Sequence, residues 1–320
     1  MKRPGRLAAI VLAVLVLAFM ASWWVSGVVE KDADFTVPRG ATLNTVAQKL
    51  EQEKVIGSAA DFLMRAKIFG SSDPIKAGEF LLPKGTSRAG ILDIIQHGKP
   101  IRRLVTVPEG MPSIMVYERL KAEPLLAGPV AIPAEGSVLP ESYDFERGEP
   151  RAAVLARMQA AMTKTVKAQW ARRKVGACPV STPQEAVTLA AIVEKETAKA
   201  KERPIVASVY CNRLRIGMKL DADPTVIYPI TKGKPLGRRI LKSELNAITG
   251  YNTYRERGLP AGPITNPGKA SLAAVLNPAQ TDYLYFVADG TGGHVFARTL
   301  AEQDANRAKW FAIRRARGEM

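Results

Sequence analysis

The chain has 320 residues, 47% hydrophobic and 24% charged, with 46 Lys and Arg against 30 Asp and Glu for a formal charge of +16. Such a composition excludes a disordered or collagenous chain and leaves length for two modest domains, each with its own core. The charge calls for something anionic, but the cations are scattered apart from Arg172-Arg173-Lys174 and Arg314-Arg315; with no zinc-finger spacing and no aromatic-and-basic RNA pattern, no nucleic-acid partner is expected.

From the N-terminus, Leu7 to Val29 form an uncharged apolar run. It is long enough for a transmembrane helix, which needs about 20 residues. Lys2-Arg3-Pro4-Gly5-Arg6 precedes it, so residues 1–6 are expected in the cytoplasm and everything after residue 30 outside it. Trp23 and Trp24 stand where indoles favour a membrane interface. A cleaved signal peptide would have a shorter apolar core, about 7–15 residues, and a small-x-small site, so a retained single-pass helix over residues 7–29 is the expectation.

A first outer unit spans residues 34–100. Asp34-Phe35-Thr36-Val37 reads as a strand. Leu43, Val46, Ala47 and Leu50 repeat with helical period, as do Phe62, Leu63, Ala66 and Phe69. Gly78 to Leu82 reads as a second strand, and Ile91, Leu92 and Ile95 mark a further helix stopped near Gly98. The order fits a small α+β module. Thr36-Val37-Pro38-Arg39-Gly40 is echoed by Thr106-Val107-Pro108-Glu109-Gly110, two uses of one strand-to-helix turn rather than a solenoid.

Residues 101–320 form the larger unit, again mixed α+β. A loop-rich stretch at 123–150 is followed by helical patterns at 151–173, 182–200 and 204–216. Tyr283 to Ala288, a Gly-rich turn and His294-Val295-Phe296 give a strong hairpin signal, and a basic helix runs from Leu300 to Arg317. Cys178 and Cys211 are too few for a disulfide framework; one bridge is allowed outside the cytoplasm, with two core thiols slightly favoured.

The chemistry centres on Ile192-Val193-Glu194-Lys195-Glu196-Thr197. On a helix, Leu189, Ile192 and Val193 define an apolar face, and Glu196 follows them at i+7, i+4 and i+3, while Glu194 turns toward Ala190 and Ala191. A desolvated carboxyl keeps its proton near neutral pH, as the acid that cleaves a glycosidic bond must. A helix-end carboxylate tied to Arg203 or Arg213 is an equally ordinary reading of Glu196. The two histidines, His97 and His294, with no Gly-x-Ser-x-Gly elbow argue against a Ser–His–Asp site, and with no cysteine cluster against a zinc site. Asp221-Ala222-Asp223-Pro224-Thr225 reads as a turn into an extended segment at Val226-Ile227-Tyr228 rather than a metal site. Asn212, Asp223, Thr225, Tyr228, Asn252, Tyr254 and His294 are candidate sugar-binding residues.

The run Ala191 to Ala198, then Glu202-Arg203, Val206 to Leu220 and Asp223 to Tyr228 resembles the MltG/YceG family of endolytic murein transglycosylases. Tyr251-Asn252-Thr253-Tyr254, Gly258-Leu259-Pro260, Gly262-Pro263-Ile264, Asn266-Pro267-Gly268 and Tyr285 to Gly290 extend the resemblance over nearly the whole chain. It implies that residues 34–100 are a LysM-like subdomain and residues 101–320 the catalytic domain. It implies further that Glu196 is the catalytic glutamate of a non-hydrolytic cleavage of the β-1,4 bond after N-acetylmuramic acid, leaving 1,6-anhydro ends. The implied setting is the bacterial inner membrane, with glycan strands as substrate, peptidoglycan synthases as partners and no cofactor or metal. Where the family often carries Glu-His-Asn at the start of its last helix, this chain has Glu302-Gln303-Asp304, so any supporting histidine role passes to His294 or is absent. A non-catalytic peptidoglycan-binding scaffold is the alternative.

Overall fold

The structure, a computed structural model, describes residues 4–25 and 27–319, and side chains from residue 9 onward. Lys2 and Arg3 of the expected cytoplasmic flank lie outside the described residues, as does Ser26 of the apolar run. The chain divides into two compact units, Met1–Arg103 and Leu104–Met320.

The first unit opens with helix α1 (Pro4–Trp24), followed by β1 (Ala33–Val37), α2 (Leu43–Gln52), α3 (Ala59–Phe69), β2 (Gly78–Leu82) and α4 (Arg88–His97). Side-chain oxygens cap three of these helices: Thr42 accepts from Thr45 N at 3.2 Å, Ser58 from Asp61 N at 3.2 Å and Ser87 from Gly90 N at 3.1 Å. β1 and β2 pair antiparallel with Phe35 opposite Phe80, so both rings enter the core formed with Val46, Leu50, Phe62 and Ile91. Trp23 belongs to that core as well. Its ring lies 5.7 Å from Phe62 and is buried, which corrects its expected place at a membrane interface; Trp24 stays exposed. Earlier in α1, Ile10, Leu12, Val14, Leu15 and Leu17 are all exposed. Among the described residues no helix is long and apolar enough to cross a membrane.

In the second unit β3 (Arg103–Thr106) pairs with β4 (Ser142–Phe145), flanking α5 (Ser113–Ala122). Then come α6 (Arg151–Ala171), α7 (Pro183–Glu196), α8 (Arg203–Arg215), α9 (Asp223–Thr231), the short α10 (Lys242–Asn246) and α11 (Lys269–Leu276). The hairpin β5 (Tyr285–Ala288) and β6 (His294–Ala297), with Ala288 opposite His294, precedes α12 (Leu300–Ala316). The extended segment expected at 226–228 is instead part of α9. Pro224 stands in its first turn, where a missing N–H costs nothing, and Thr225 and Val226 are buried, so packing overrides the β-branched bias.

α7 is the centre of this unit. Thr182 caps it by accepting from Glu185 N at 3.1 Å, and Pro183 sits at its start. Every residue from Ala186 to Val193 is buried, which marks a helix enclosed on all faces by α6, α8, α9 and α11. Cys178 and Cys211 form a disulfide with Cα atoms 4.9 Å apart, correcting the expectation of free thiols and tying α8 to the chain that leads into α7. Replacing both cysteines by serine is expected to cost about 4 kcal/mol in urea unfolding, the entropy of a loop of this length. An unchanged unfolding midpoint under oxidising and reducing conditions would exclude a stabilising bridge.

Candidate active site

The last turn of α7 carries two carboxyls, and the fold treats them in opposite ways. The Glu194 side chain is 4% exposed. Its Oε1 lies 3.3 Å from Arg203 Nη2 and its Oε2 accepts from Gly268 N at 2.8 Å. The same Arg203 nitrogen donates to Glu109 Oε2 at 3.0 Å. A Cβ at Gly268 would meet the Glu109 carboxyl and push that side chain away from Arg203. The Glu109-Gly110 turn, read from sequence only as an echo of an earlier one, therefore brings a second carboxylate to the Arg203 that pairs with Glu194.

Glu196 ends the helix on the other side. The residue is half-buried, but its Oε1 is shut off from solvent and has no hydrogen-bond partner. Burial pushes the carboxyl up to about 7, and the negative charge of Asp223 adds to the rise; the Tyr210 hydroxyl and Arg213 pull the other way. Tyr210 and Arg213 lie three residues apart on α8, both buried. The Tyr210 phenol is itself pushed up, first by burial and then by Glu196. Arg213 is fixed by donating to Leu284 O at 2.6 Å and Leu220 O at 2.7 Å, with Asp221 Oδ2 at 3.7 Å. Its fixed guanidinium is thus a nearby positive charge without a direct ion pair to Glu196.

Asp223 begins α9, where the helix dipole favours a negative charge, and its Oδ1 accepts from the Tyr254 hydroxyl at 2.7 Å. Asp223 is exposed and Tyr254 half-buried, and both act electrostatically with Glu196. The other candidate sugar-binding residues are used within the fold. Thr225 is fully buried, donates to Ala222 O at 2.6 Å and bonds Thr253 Oγ1 at 2.9 Å. Asn252 is fully buried; its amide reaches Ala247 O at 2.8 Å and Leu245 O at 3.0 Å, and its Oδ1 accepts from Tyr254 N at 3.0 Å. Asn212 donates to Thr281 O at 2.8 Å and Tyr283 O at 3.0 Å. In this structure these three side chains serve as braces within the fold. Tyr228 packs against Tyr251 with ring centroids 4.9 Å apart and planes tilted by 46°, and bonds Glu135, with its phenol pushed up to about 12 mainly by burial. His294 binds Glu202 through Nδ1 at 2.7 Å. His97 sits in the other unit, exposed between Asp93 at 2.8 Å and Asp73 at 3.0 Å.

Tyr210 was missed from sequence as a neighbour of Glu196, though its i, i+3 spacing to Arg213 on one helix face was the available signal. A cavity of about 670 Å³ lined by Trp170, Gln184 and Val187 lies elsewhere. Val187 precedes Glu196 by nine residues, which at about 100° each is the opposite face of α7.

A protonatable carboxyl with one buried, unpartnered oxygen, beside a tyrosine, an arginine and an Asp–Tyr pair, is an arrangement suited to general acid catalysis on a polar substrate. The YceG-like family model matches residues 35–309, and the chain belongs to that family. Among its relatives, an endolytic murein transglycosylase of Bacillus subtilis (strain 168) is 29% identical over 324 residues, covering 89% of this chain and 87% of that protein. One of Streptococcus pneumoniae serotype 2 is 28% identical over 322 residues and 85% of this chain, which spans only 57% of the pneumococcal protein. The crystal structure of a yceG-like protein from Listeria monocytogenes aligns with a TM-score of 0.54 at 25% identity, over 86% of this chain and 98% of that one.

The two carboxyls make distinct demands on stability. Glu194→Gln, which leaves Arg203 only the more exposed Glu109 as an anionic partner, is expected to cost about 2 kcal/mol in chemical denaturation. Glu196 couples stability to pH. Unfolded, it titrates near 4.5, and folded near 7. Between those values the folded protein holds a proton that the unfolded chain has released, so stability falls as pH rises through that window. Glu196→Gln is expected to remove this part of the slope, while a pH dependence identical to that of the parent would refute the raised pKa.

Proposed function

We propose that this protein is a lytic transglycosylase that cuts murein glycan strands internally, with Glu196 as the single catalytic acid and base. The observation that carries the proposal is the Glu196 carboxyl with its buried, unpartnered Oε1 and a pKa near 7, on a helix inside the region that the YceG-like family model matches. Glu196 donates its proton to the oxygen leaving C1 of N-acetylmuramic acid as the β-1,4 bond to N-acetylglucosamine breaks. The resulting carboxylate then takes the proton of that sugar's own 6-hydroxyl as the oxygen closes on C1. The product ends in a 1,6-anhydro ring, no water is consumed, and one carboxyl serves both steps, unlike the two carboxyls of the hydrolases. Arg213 and Tyr210 stabilise the carboxylate between the two proton transfers, and Asp223 favours the return of the proton.

The setting follows from the N-terminal run. Leu7 to Val29 anchors the chain once in the inner membrane, with residues 1–6 in the cytoplasm and the remainder in the periplasm. The exposed aliphatic side chains of α1 support this reading, as does a disulfide suited to an oxidising compartment. Residues 34–100 serve as a LysM-like module, and the enzyme acts on nascent strands beside the synthases, terminating their elongation.

Incubated with purified murein, the protein is expected to release strands with anhydro ends, read by mass spectrometry. Glu196→Gln is expected to lower the rate by at least about 10³-fold, and Glu194→Gln to retain most of it in the folded fraction. The rate should fall as pH rises above about 7, where Glu196 loses its proton. Reducing-end products without anhydro rings, or an active Glu196→Gln, would overturn the assignment.

A further inference from the structure

Glu196 is the last residue of α7, where a helix would ordinarily fray. Thr197, next in the chain, is already extended, and its N–H reaches Val193 O at a long 3.4 Å. Something beyond the helix must hold the acid in place. Taking Glu196 as that acid, we propose that Glu202 and His294 form a positioning clamp that fixes the turn after α7 against the β5–β6 hairpin.

The clamp is continuous in the structure. Thr197, 4% exposed, accepts from Lys199 N at 3.1 Å and donates its hydroxyl to Glu202 Oε2 at 3.1 Å. The same Glu202 oxygen pairs with His294 Nδ1 at 2.7 Å, and Glu202 Oε1 accepts from His294 N at 3.1 Å. The Glu202 and His294 side chains are only 14% and 16% exposed. Burial alone would raise the Glu202 carboxyl; the bonds from His294 and Thr197 outweigh it and hold the group below its ordinary value. The hairpin turn is itself tied, since Asp289 Oδ1 accepts from Thr291 N at 2.7 Å and Gly293 N at 3.0 Å. Gly293 fits because a Cβ there would stand 2.5 Å from Glu202 Oε1. A second route runs through rings: Phe286 meets His294 edge-on at 5.2 Å and Tyr210, the neighbour of Glu196, at 5.9 Å.

Sequence alone suggested His294 as a sugar contact, which would have to use Nε2 because Nδ1 is committed to Glu202. Two substitutions separate the roles. Asparagine places its amide nitrogen near the position of Nδ1, and glutamine near that of Nε2. His294→Asn is expected to keep kcat within about threefold of the parent, whereas His294→Gln and Glu202→Gln lose on the order of 30–100-fold in kcat with KM within about twofold, the signature of a misplaced catalytic group. The double Glu202→Gln, His294→Gln variant should be no worse than either single one, since both break the same clamp. Gly293→Ala, which leaves both clamp residues chemically intact, should also lower kcat. Melting curves identify any variant that has simply unfolded.

Activity retained by His294→Gln and lost by His294→Asn would overturn the proposal in favour of direct substrate contact. So would a rise in KM alone, or fully additive losses in the double variant. Glu196→Gln run alongside keeps the two ideas apart. If it is inactive while every clamp variant matches the parent, the clamp fails and the acid stands; if it is active, the assignment of the acid fails.

Discussion

The enclosure of α7 is the constraint from which the rest of the larger unit follows. With Ala186 to Val193 buried on every side, a side chain in the last turn cannot rely on water. Glu194 is met by Arg203 and the Gly268 amide, which compensate its burial. Glu196 receives no such partner on Oε1, and Asp223 places negative charge nearby. Keeping the proton is then the less costly state near neutral pH. The same helix thus carries one carboxylate held in an ion pair and, two residues on, one carboxyl whose affinity for its proton is raised.

Helical period was enough to place Glu196 on the apolar face of α7, and the motif resemblance pointed to the same residue by a separate route. Period could not tell that Glu194 is equally buried, because the Ala190 and Ala191 side on which it lies is also covered, by small residues that a hydrophobic pattern scores weakly. What separates the two glutamates is partners distant in sequence: Glu109, Arg203 and Gly268 for one, Tyr210 and Arg213 for the other. The elements of the first unit were legible almost to the residue, since its strands alternate and its helices carry Thr or Ser caps. β4, α10 and α11 were not, being short segments with few local signals, and α9 was misread because its Thr-Val-Ile run has strand propensity but packs as a helix.

The polar residues around the acid show why residue type alone misleads about binding. Thr225 and Asn252 looked suited to sugars because their groups hydrogen-bond readily. In a loop-rich region those same groups are consumed by backbone that has no sheet or helix to satisfy it. Asn252 holds three carbonyls from 244–247 and the Tyr254 amide, and so shapes the loop that presents the Tyr254 hydroxyl to Asp223. The braces are buried, and the groups they present are the more exposed ones.

α8 brings these demands together on one element. Tyr210 and Arg213 face the acid, Cys211 anchors the helix to the segment leading into α7, and Asn212 fastens it to the chain entering β5. Because four consecutive residues span every direction around a helix, a small rotation of α8 would disturb the acid's neighbours, the disulfide and the hairpin contact at once. That coupling makes the helix stiff against the motion that matters most here. In the proposed reaction, a carboxyl whose pKa depends on burial and on two neighbours needs those neighbours to keep their distance through both proton transfers. The disulfide and the carbonyl contacts of Asn212 and Arg213 meet that requirement from outside the reacting centre, without adding a group that would quench the proton on Glu196.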